Sequence, residues 1–122
     1  MTFKFLYKEK TYDVALTNRL IIEVEETYGK PIDTIYFYAN KKISIMTNGR
    51  LAIHTAILNH LAIRENDKSL ITSVDLLKDD SNFNWNSGDM NANCVAFILA
   101  LVDQQANFSK LDNDKVKKVK KK

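Results

Sequence analysis

Glycine, proline and cysteine are scarce in this chain of 122 residues: three, one and one. So few glycines leave little material for phosphate-cradling loops, and no G-x-G-x-x-G, P-loop or G-x-S-x-G motif occurs. The single cysteine, Cys94, cannot form an internal disulfide and has no CxxC partner for a zinc site. Its isolation fits a reducing compartment, and a bacterial cytoplasm is the expectation. Long apolar runs are missing too. The longest, Cys94–Val102, is far short of the ~20 residues that a membrane span needs. Charges break every apolar stretch of the opening MTFKFLYKEK, which therefore does not read as a signal peptide.

What is present is a 45% hydrophobic chain, enough for one folded domain. The net charge of +3 conceals a segregation. Residues 110–122, KLDNDKVKKVKKK, carry seven lysines and two aspartates, a net of +5. The preceding 109 residues are left at −2. The expected organisation is one globular domain over 1–109 and a Lys-rich disordered tail over 110–122.

Alternation in TFKFLYK (2–8) and KTYDVALT (10–17) predicts a β-hairpin turning at Glu9–Lys10, with Tyr12, Val14 and Leu16 on one face. A helix follows, capped by Thr17 or Asn18 and ended at Gly29 before Pro31. Leu20, Ile21, Val24 and Tyr28 form its apolar stripe. Glu23, Glu25 and Glu26 fall on or beside the wet face and lack the cleft that acid–base work requires. Pro31 is placed to open a second helix, PIDTIYFYAN, with Ile32, Ile35 and Tyr36 inside. Tyr36-Phe37-Tyr38 could be a base-stacking platform, but no basic residue interleaves it, and packing is the better reading. Asn48-Gly49 signals a turn before a strong helical pattern, RLAIHTAILNHLA. Thr72 or Ser73 caps a short helix through Leu77. In the turn-rich 79–89 stretch, Phe83 and Trp85 are expected to anchor the loop. A last helix runs from about Met90 to Asn107, nearly all apolar between Val95 and Val102, and so is either central to the core or buried in a partner. The fold class expected is α+β, mostly α, with an N-terminal hairpin packed on a bundle of about four to five helices.

No constellation for chemistry stands out. Asp89-Met90-Asn91-Ala92-Asn93 begins like a calcium loop, but Cys94 and Ala100 occupy the positions that need Gly and Glu, so Asp89 reads as a helix cap. His54 and His60 are six apart and face different ways on a helix. Cys94 in an apolar helix reads as an inert core residue, with a Cys–His nucleophile the less favoured reading. Catalytic, metal and cofactor residues are expected to be none.

In order, FKFLYKEKTYDVALT, then R-L-I-I-E-V-E-E-T-Y-G-K-P-I, then L-A-I-H-T-A-I-L-N-H-L and T-S-V-D-L-L form a layout. It resembles the small tail-assembly chaperones of long-tailed phages, especially the branch in gene-transfer agents and related prophages. The "L…lE…G" element of that branch is matched here by Leu20, Glu23 or Glu25, and Gly29, and the resemblance covers roughly residues 3–77. It implies a non-enzymatic, self-associating helical protein. Its partners would be the tape-measure protein and tail tube subunits, with nucleic acid and membrane not expected. Tyr36, Phe37 and Tyr38, with Val95, Ile98, Leu99 and Val102, could supply its apolar partner-binding surfaces. The alternative is a small nucleic-acid-binding regulator using the basic tail.

Overall fold

The computed structural model describes the backbone of residues 1–120 and the side chains of residues 1–105. Among these residues the fold is α+β: two antiparallel hairpins and four α-helices, with helix predominating. The expectation for the tail from Lys110 falls on side chains outside the described residues.

β1 (Thr2–Tyr7) and β2 (Lys10–Ala15) pair with Phe3 opposite Val14 and Phe5 opposite Tyr12. These four side chains share one face, and all are buried. The turn is Lys8-Glu9, one residue earlier than expected. Both residues take positive φ, 47° and 65°, in the type I′ pattern that matches strand twist.

α1 (Asn18–Tyr28) has the expected caps. Thr17 Oγ1 accepts from Leu20 N at 3.2 Å, and Gly29 sits in the left-handed region at φ 80°. Leu20 and Val24 are buried. Glu25 turns out to be structural: its carboxylate accepts from Ile32 N at 2.8 Å and ties the helix end to the next segment.

That segment corrects the expected second helix. Pro31 opens only a 3-10 turn, Ile32–Thr34, after which β3 (Tyr36–Ala39) and β4 (Lys42–Ile45) form a second hairpin. Its turn, Asn40-Lys41, again has positive φ at both residues. Three consecutive aromatics favour a pleated surface over a helix, and Asn tolerates the left-handed turn.

Asn48-Gly49 is not a turn. It lies in the first turn of α2 (Thr47–Arg64). Gly49 is buried there because Ile35 and Ile45 come close: a Cβ at this site would lie 2.7 Å from Ile35 Cγ2. From Leu51 to Leu58 every residue of α2 is buried, His54 and Thr55 included. α2 packs against α1, α3 (Val74–Lys78, capped by Ser73) and α4 (Gly88–Lys120). It is therefore the central element, a place the sequence reading offered to the last helix.

α4 starts two residues earlier than expected. Ser87 Oγ accepts from Met90 N at 3.5 Å, so Ser87 stands at the cap, and Asp89, expected there, lies in the first turn. α4 packs on β1, with Phe97 edge-on to Phe3 at 5.7 Å between ring centroids. Met90, Cys94, Phe97, Ile98 and Leu101 are buried, whereas Leu99 is exposed.

Candidate functional site

Three chemistry-bearing side chains meet where α2 and α4 cross beneath β1. Asn93 is the organiser. In a two-residue hairpin the closing pair, Tyr7 and Lys10, exchanges the ladder bonds, so Leu6 turns its N–H and C=O outward. Asn93 meets both: its Oδ1 accepts from Leu6 N and its Nδ2 donates to Leu6 O, each at 2.7 Å. One side chain thus stands in for a missing strand at this edge.

That pairing fixes the amide orientation and with it the histidine. The second Nδ2 hydrogen of Asn93 points at His54 Nε2, 3.2 Å away. Nε2 must accept, so Nδ1 carries the ring proton and donates to Arg50 C=O at 3.2 Å. Cys94 Sγ lies 3.6 Å from the same Nδ1. Residue types and spacing suggest a Cys–His–Asn arrangement for nucleophilic catalysis, but the protons are wrongly placed. The nitrogen beside the thiol already holds a hydrogen and cannot take another from sulfur.

Burial opposes the charged forms as well. Desolvation pushes the His54 pKa down to about 4, with the Arg50 carbonyl bond pulling weakly the other way. Desolvation pushes the Cys94 thiol up to about 12 against a small opposing effect of the Arg50 charge. A thiolate–imidazolium pair would need the reverse of both shifts. Phe5 and Phe83 close over the imidazole, each with its centroid 5.3 Å from the His54 ring. The cluster is a core lock joining β1, α2 and α4. The sequence reading placed Cys94 in the core and turned the two histidines apart. It missed Asn93 as the polar pin, for which the signal was an amide at helical spacing from the apolar Met90 and Phe97 of α4.

Outside this lock lies a cavity of about 390 Å³ between the tip of the first hairpin and the start of α4. Tyr7 and Phe83 line one wall, their rings tilted by 35° at 6.0 Å. His54, Asn93 and Met90 line the floor, and Lys8, Glu9, Asp80 and Asp89 contribute charges. Phe83 anchors its loop as expected. Trp85 does not: its side chain is 63% exposed, and the anchor is its carbonyl, which accepts from Arg50 Nη1 at 2.5 Å. The α4 start is helical, and Asn93 turns to the interior, so the opening of a calcium loop does not form.

The residues suggested for a partner surface divide. Phe37 is 69% exposed on the outer face of β3. Tyr38 and Leu99 are each 41% exposed. Tyr36, Val95 and Val102 are half-buried, and Tyr36 and Val102 pack against the core. Ile98 is fully buried in the core and offers no surface.

Comparison with protein-family models, with curated proteins and with solved structures finds no match. No helix among the described residues is long and apolar enough to cross a membrane.

Proposed function

We propose that this chain is a non-enzymatic protein-binding module. We propose further that it acts as a tail-assembly chaperone of a long-tailed phage or gene-transfer-agent-like prophage. In that role it holds the tape-measure protein, and tail tube subunits, before the tube polymerises. In the finer architecture of this reading, the N-terminal hairpin packs on the helical bundle and apolar surface is left for self-association. The host's cytoplasm is where such assembly takes place.

The observation that carries the reading is Phe37, an aromatic side chain 69% exposed on a hairpin of only two strands. A two-stranded sheet leaves backbone donors and acceptors at its edges, and an extended or helical partner can use both edge and ring. Tyr38 at the same hairpin and Leu99 on α4 add apolar surface. The sealed Cys94–His54 contact favours a binding role over hydrolysis.

Co-purification of the full chain with a tape-measure fragment tests this. Capture of the fragment, lost on Phe37→Asp with the fold intact by circular dichroism, is the expected result. No capture, or capture indifferent to Phe37→Asp, contradicts it.

A second reading rests on the +5 charge of residues 110–122: a small nucleic-acid-binding regulator. Salt-sensitive DNA binding that vanishes on deleting residues 110–122 would favour it over the chaperone role.

A further inference from the structure

We propose that the cavity beside the first hairpin tip binds a positively charged group carried on an apolar body, an alkyl- or arylammonium. This inference is independent of the chaperone reading. At about 390 Å³ the cavity falls in the range of small-ligand sites. Its lining combines an aromatic wall with charge of mainly one sign. Glu9, Asp80 and Asp89 face it with Lys8 as the lone cation among the described lining residues. None of these three carboxylates has an ion-pair partner within 4.0 Å among the described residues.

One ring of the wall already attracts an ammonium. Lys8 Nζ lies 5.3 Å from the Tyr7 ring centroid, within reach of the ring's negative face. Lys8 projects from a turn residue at φ 47° and lines the cavity, so its ammonium competes for the Tyr7 ring. The floor does not compete for charge: His54 and Asn93 are neutral and committed to each other and to Leu6. Apolar surface from Met90, Phe83 and Leu6 would receive the body of the ligand. The same chemistry could come from a free amine or from a lysine side chain displayed by a partner.

Amide-resolved NMR titration of the full chain tests the proposal, with tryptamine, its neutral counterpart tryptophol, and a short end-capped lysine peptide as probes. Saturable shifts at Tyr7, Phe83 and Asp89 are expected. Tryptamine should bind about tenfold more tightly than tryptophol, as a partly desolvated cation–π and ion-pair site allows. Asp89→Asn should remove most of that preference. Lys8→Asn suits the positive φ and removes the tethered competitor, so it should tighten tryptamine binding. These opposite signs distinguish a site from general loss of structure. Tighter binding of tryptamine than of the peptide assigns a small molecule, and the reverse assigns a partner's lysine. Absence of saturable shifts, equal affinity for tryptamine and tryptophol, or weaker tryptamine binding in Lys8→Asn overturns the proposal.

Discussion

At the residue scale, His54 ties the fold to pH. Its proton is bound with an ordinary pKa of 6.5 in the unfolded chain but only near pH 4 in the folded one. As pH falls the unfolded state takes up the proton first. His54's contribution to stability is therefore full above pH 6.5, is lost between 6.5 and about 4, and is constant below. The loss amounts to about 3 kcal/mol at 1.36 kcal/mol per pKa unit. Urea midpoints between pH 7 and 4 check this, and a His54→Phe variant should flatten the slope in that window. Asn93→Ala should cost about 2–3 kcal/mol in urea unfolding, because Leu6 N–H and C=O and His54 Nε2 all lose their partner. Cys94 should resist thiol reagents in the native protein and react at the rate of a free thiol once the chain is unfolded.

At the element scale, the two hairpins turn on Lys8-Glu9 and Asn40-Lys41, four non-glycine residues in the left-handed region. Replacing Lys8-Glu9 by Asn-Gly should raise stability by about 1 kcal/mol, read from the thermal or urea midpoint. Here the limits of the sequence are plain. The first hairpin was legible because polar and apolar residues alternate on both sides of the turn. The second was not, because Pro31 and the Ile32, Ile35, Tyr36 spacing imitate a helix start. Only pairing with Lys42–Ile45, across a turn with no glycine, decides for strand. α1 was legible to within a residue, since Gly29 ends it as expected and Thr17, one of the two offered caps, begins it. Gly49 was misread because its reason is tertiary: it clears the way for Ile35 and Ile45. Gly49→Ala should therefore destabilise by about 1–3 kcal/mol although it lies in a helix, where alanine is otherwise favoured.

At the scale of the whole molecule, α2 is central and the Val95–Val102 run of α4 only partly buried, so apolar content alone did not rank the helices. The 51–58 stretch includes His54 and Thr55, and their polarity made it look less central than the Val95–Val102 run. The Cys94–His54–Asn93 lock could not be seen in sequence either, since it joins residues about forty positions apart. What does follow from sequence and fold together is a chain with its one cysteine sealed in the core and aromatic surface exposed on a two-stranded hairpin. The most direct test of a self-associating binding protein is the solution mass of the full chain by light scattering behind a sizing column, at low and high salt. The account expects a mass above the 14.0 kDa of one chain at both salts, reduced to one chain by Phe37→Asp. A 14.0 kDa particle at every concentration and salt would contradict it.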